Sequence, residues 1–158
     1  MEEALSDSVK EIKGIVESLC EKNGTDSPFE LCERLGIEAV STELPDCTKG
    51  FCLMLSAGSA IVLNNRLNPR EKRAVLAHEL GHAVLHEGCN YMFMSSNTGF
   101  VTGKYEKEAD LFAAHLLLRS EETDAETFGS LSEALCLPQW AVEEAFRRSA
   151  GEKPSYFV

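Results

Sequence analysis

The stretch "NPREKRAVLAHELGHAVLHEG", residues 68 to 88, constrains the fold more than any other. Asn68 is placed to cap a helix, Pro69 takes the first helical position, Glu71 completes a capping box, and Gly88 lies past the end. At about 100° per residue, Leu76, Ala77, Leu80, Ala83 and Val84 form one broad apolar face. His78 and His82 fall on the opposite face, about 40° apart, flanked by Val75 and Leu85. A helix apolar on both sides belongs in the middle of a core. Ionisable side chains within such a helix need a partner or an ion to offset their desolvation.

Two neutral imidazoles one turn apart can converge on a single metal ion, and Glu79 stands directly beside them. This is the H-E-x-x-H arrangement, two ligands and a carboxylate base on one helix, with Gly81 at a tight position next to it. A catalytic zinc ion usually takes three protein ligands and leaves one position open, so the third ligand must come from elsewhere. His86 lies two turns from His78, too far along a straight helix to share an ion with it, and reads as a residue of the helix end or the rim. The segment "YEKEADLFAAHLLL" is the better source. Glu106, Asp110, Ala113 and Leu117 share one face of its wheel, whereas Lys107, Glu108, His115 and Arg119 fall on the polar side. Glu106 is therefore the favoured third ligand, with Glu108 and His115 as lesser alternatives. Asp110, one turn on, can hold the far nitrogen of a ligand histidine. A salt bridge to a core arginine is the plainer role for the same two carboxylates.

The rest of the chain suits one α+β domain of 158 residues. An amphipathic helix is expected over residues 5 to 22. A short helix should follow, capped by Ser27 and ended by Gly36. Three strands, Ile37 to Thr42, Phe51 to Ser56 and Ala60 to Leu63, suggest a small three-stranded antiparallel sheet. After the central helix come a loop from Cys89 to about Gly103, the helix bearing Glu106, and a tail over about 129 to 150 of two shorter helices joined at Cys136 to Pro138. A net charge of −11 argues against binding to nucleic acid or an anionic membrane. No apolar run is long enough to span a bilayer, and the charged start "MEEALSDSVKEIKG" does not read as a signal peptide, so a cytoplasmic location is expected. The six cysteines then read as reduced thiols; a zinc site from Cys47 and Cys52 has marginal spacing.

"HELGHAVLH" followed by "EKEADLFAAHLLL" resembles the ImmA/IrrE family of zinc metallopeptidases, found in bacteria and their mobile elements. The first motif is general to metallopeptidases; the second, E-x-E-A-[DN]-x-F-A-A, is particular to this family. The resemblance implies a mainly helical, zincin-like minimal core. It implies one zinc ion held by His78, His82 and Glu106, with Glu79 as catalytic base. It also implies a protein substrate, typically one regulatory protein, in several members a helix-turn-helix repressor encoded nearby. The family often has proline where this chain has Arg119. A donor for the oxyanion is needed as well, and Tyr91, Tyr105 and His86 are the candidates.

Three rival readings remain. The tail has the outline of a helix-turn-helix, but its second helix carries Glu143 and Glu144 beside Arg147 and Arg148, so Trp140 and Phe146 are assigned to packing. A non-catalytic zinc-binding regulator would not need Glu79. A structural zinc site would want four ligands. The basic cluster Arg66, Arg70, Lys72 and Arg73 reads as a solvated face or as a contact for an acidic substrate segment. Oligomeric state is not legible.

Overall fold

The computed structural model describes residues 2–86, 99–121 and 124–149. Its elements, in order, are α1 (Glu2–Asn23), α2 (Pro28–Arg34), β1 (Glu38–Thr42), β2 (Gly50–Leu55), β3 (Gly58–Asn64), α3 (Pro69–Leu85), α4 (Gly99–Leu118), α5 (Phe128–Leu135) and α6 (Gln139–Ser149). The expected mainly helical α+β architecture is what forms. The helix bearing Glu106 begins at Gly99, earlier than its sequence pattern indicates.

Local chemistry explains the boundaries. Val9, Ile12, Val16 and Cys20 recur at helical spacing on α1, and all are buried. Ser27 accepts a hydrogen bond from the Glu30 N–H at the start of α2. Gly36 stands just past its end at φ +69°, a left-handed conformation that favours glycine. The first turn of α3 carries the full capping box: the Asn68 side chain accepts from the Glu71 N–H and Glu71 accepts from the Asn68 N–H, both at 2.9 Å. Thr127 and Ser130 make a similar box on α5.

The sheet has the expected three strands but is mixed rather than wholly antiparallel. Its strand order is β1-β3-β2, with β2 antiparallel to β3 but β1 parallel to it, Glu38 opposite Ala60 through Thr42 opposite Asn64. A parallel pair needs a long crossover, and residues 43–57, which include all of β2, supply it. Burial decides which strand is central. β3 buries Ile61, Leu63 and Asn64, while β1 is exposed at every position and takes the edge. The link between β1 and β2 is pinned by Asn64, whose Nδ2 donates to the backbone oxygens of Leu44, Pro45 and Thr48 at 3.0–3.4 Å.

α3 runs through the centre. β2, β3 and α2 pack on it from one side and α4 from the other, so it is covered on both faces. α4 in turn packs against α1 and α6, around Leu111, Phe112, Leu116 and Leu117. The tail helices close the core through Leu131, Leu135, Ala141, Val142 and Ala145, and Phe146 meets Phe128 edge-on at 5.4 Å between centroids. Trp140, assigned to packing from sequence, is exposed instead, because α6 turns its small residues inward. Among the described residues no helix is long and apolar enough to cross a membrane.

Candidate metal centre

The site lies where α3 faces α4, and a glycine sets how closely they approach. A β-carbon on Gly81 would lie 3.2 Å from the Ala109 Cα and 3.1 Å from the Phe112 Cβ. A side chain here would need those neighbours to give way by a few tenths of an ångström. Across this contact the ligand-type atoms of His78, His82 and Glu106 all lie within 4.8 Å of one another. His78 Nε2 is 3.1 Å from one Glu106 oxygen, His82 Nε2 is 3.3 Å from the other, and the two Nε2 atoms are 3.2 Å apart. Two imidazole nitrogens and a carboxylate aimed at one point form a donor set that suits a divalent metal ion.

The far nitrogens are braced. Asp110 Oδ1 accepts from His78 Nδ1 at 2.9 Å, which makes Nε2 the nitrogen turned to the centre. His82, only 1% exposed, turns its Nδ1 to His86 Nδ1 at 3.0 Å, and His86 Nε2 is 2.8 Å from Glu108. His86 caps the C-terminal end of α3, the helix-end position expected of it, but it is 3% exposed rather than at a rim. Both its ring nitrogens are engaged, so it presents neither to a substrate oxygen. Tyr105 lies against it, ring centroids 4.3 Å apart and planes tilted by 54°. The sequence pattern puts Glu108 and His115 on a polar face of α4. Glu108 instead turns to His86, and His115 is buried at 4% exposure, away from the three-residue cluster. The single-helix wheel missed these two because it does not see α3 and α1 packing on that side. The spacing of His86, one turn beyond His82, was the available signal. Tyr91 lies outside the described residues.

Electrostatics follow the geometry. Burial raises the Glu106 carboxyl, but hydrogen bonds from His78 and His82 outweigh it and bring the group to about 2, so it is ionised at neutral pH. Burial lowers His78, yet Asp110 and Glu106 outweigh it and hold the metal-free imidazole up at about 10. A metal ion must therefore displace a proton there. Glu79 is 8% exposed; burial pushes its carboxyl up, against the pull of His78, His82 and the Cys52 backbone.

Glu79 and His78 open onto a cleft of about 230 Å³, walled by Lys49 and Gly50 at the start of β2 and by Cys136, Leu137 and Pro138 between α5 and α6. Gly50 is required by close approach: a β-carbon there would stand 2.8 Å from both the Val62 oxygen and Val75 Cγ1. The other sequence candidates do not join the site. Cys47 is exposed and Cys52 buried, and burial, aided by the charge of Glu79, pushes the Cys52 thiol up to about 12, far from a thiolate ligand. Arg66 pairs with Glu43 and Asp46, and Arg73 with Glu121. On α6, Arg147 lies 3.8 Å from Glu143 and 4.0 Å from Glu144, so its charge is met within its own helix.

An H-E-x-x-H helix whose partner helix supplies a glutamate defines a zincin-type metallopeptidase fold. The family model of the IrrE N-terminal-like domain, peptidase M78, matches residues 32–150, and the chain belongs to that family. It is 40% identical over 107 residues to a protein of Bacillus phage phi105 that bears the name uncharacterized immunity region protein 2, covering 68% of each chain. It is 29% identical over 109 residues to metallopeptidase ImmA of Bacillus subtilis strain 168, covering 69% of this chain and 64% of that one.

Proposed function

We propose that this protein is a zinc-dependent endopeptidase that cuts one specific regulatory protein inside the cell, a helix-turn-helix repressor of a mobile element or stress response. The observation that carries the reading is the convergence of His78, His82 and Glu106 beside the buried Glu79 at an open cleft. The set has three protein donors, which suits a catalytic zinc ion better than a structural one. The choice of a regulatory substrate rests on the family resemblance and fits relatives named for a phage immunity region and for ImmA.

Bound zinc would supply a Lewis acid that polarises a peptide carbonyl and acidifies water. His78, His82 and Glu106 would hold it, and Asp110 would keep His78 in the ligating tautomer. Glu79 acts as the general base: it takes the proton of the attacking water and delivers it to the leaving amine. Its raised pKa suits both halves of that task, since an ordinary carboxylate holds a proton too weakly near neutral pH. The substrate chain would lie in the cleft between the start of β2 and the turn from α5 to α6.

The test is to mix the purified, zinc-loaded protein with repressors encoded beside its gene, with and without chelator. A discrete cut that chelator abolishes is expected. Glu79→Gln should bind zinc and target but lose about 10²–10⁴ of the rate. If that variant cuts at the wild-type rate, hydrolysis by this centre is wrong, and the chain is better described as a zinc-stabilised binding protein.

A further inference from the structure

We infer that His86 and Glu108 form a hydrogen-bonded relay that fixes His82 in its metal-binding tautomer, making them positioning residues of the metal centre. The inference rests on the metal reading above and extends it to two residues outside the ligand set.

The directions of the hydrogen bonds follow from chemistry. An ionised carboxylate only accepts, so the 2.8 Å contact of Glu108 with His86 Nε2 places a hydrogen on that nitrogen. In a neutral imidazole the other nitrogen, Nδ1, is then bare. It faces His82 Nδ1 at 3.0 Å, and one proton must lie between the two. With His86 Nδ1 bare, that proton belongs to His82. In the metal-loaded protein His82 Nε2, beside Glu106 and His78, is then the nitrogen left to offer its lone pair to the ion. The opposite arrangement would put the proton on His82 Nε2 and close the lone pair to a metal.

The two ligand histidines are thus served differently. Asp110 reaches His78 directly, at 2.9 Å. Glu108 lies two residues before it on α4, on another side of the helix, and reaches His82 only through the ring of His86. Packing does not account for this. His86 is buried at the C-terminal end of α3, where a hydrophobic residue would fill the space without the cost of burying a polar ring. Tyr105 covers the ring, and Lys104, 3.8 Å from the other Glu108 oxygen, is too exposed to compete for it strongly.

Two measurements test the relay. Long-range ¹H–¹⁵N NMR of the zinc-loaded wild type should find the proton of His86 on Nε2 and that of His82 on Nδ1; a proton on His86 Nδ1 would overturn the proposal. Zinc titration against a competing chelator should find His86→Phe weakened by about 10- to 100-fold, as for other residues that support ligands. His86→Asn, which keeps an acceptor where Nδ1 stood, should recover most of that loss. Wild-type affinity in His86→Phe, or equal affinity in His86→Phe and His86→Asn, would assign His86 to packing alone. Should His86→Phe fail to fold, the NMR of the wild type decides. A wild type that binds no zinc would instead remove the metal centre itself, a result separable from failure of the relay.

Discussion

His78 Nδ1 lies 2.9 Å from Asp110 Oδ1, while the Nε2 of the same ring lies 3.1 Å from Glu106, so one imidazole is clamped between two carboxylates one turn apart on α4. The two have different tasks, and substitution should separate them. Glu106→Gln removes a charged donor from the centre and should abolish tight zinc binding. Asp110→Ala should weaken it by about 10- to 100-fold. Asp110→Asn, which still accepts from Nδ1, should cost less. Equal losses in the two Asp110 variants would show that acceptance of the His78 proton is not what Asp110 contributes.

Gly81 holds the helices in register. Gly81→Ala would gain up to about 1 kcal/mol of helix propensity, but its β-carbon would press on the Ala109 backbone at 3.2 Å and on Phe112 at 3.1 Å. Overpacking at a backbone contact costs about 1–3 kcal/mol. A net loss of stability and weaker zinc binding are expected together, measured by denaturation of the metal-free protein and by metal titration. A stabilised variant with unchanged affinity would show that the helices can separate freely.

Metal should stabilise the fold, because His78, His82 and Glu106 join two central helices. Zinc at about a hundred times its dissociation constant adds about 2.7 kcal/mol. Thermal unfolding should therefore shift upward with zinc and downward with chelator. His82→Ala should lose that dependence, and a His82→Ala protein that retains it would place the metal elsewhere.

Arg119 closes the end of α4 against the turn between α1 and α2, its Nε donating to Asp26 at 2.9 Å. That hydrogen bond, against the opposing effect of burial, holds the Asp26 carboxyl below its ordinary 3.8. A depressed carboxylate gives stability that is present above its unfolded pKa and lost as the pH falls through the folded one. Asp26→Asn should therefore cost about 0.2–1 kcal/mol at neutral pH, the range of a solvent-screened pair. The difference from wild type should close below about pH 4. A gap that does not change with pH would assign the loss to packing.

The sequence by itself determined the elements and the inner part of the site. Capping chemistry at Asn68 and Glu71 is local, so the start and phase of α3 follow from a few residues. With the phase known, His78 and His82 fall one turn apart, and the apolar stripe of α4 singles out Glu106 and Asp110. Tertiary structure decided what those surfaces meet. β1 joins β3 rather than β2 because β3 has the residues to be buried at the centre, a competition among strands that spacing along the chain does not register. His86 and Glu108 face each other because α3 and α4 close over Gly81. A helical wheel gives the direction of a side chain on its own helix. It carries no information about the neighbouring helix, and for a buried polar group that neighbour decides which partner offsets its desolvation.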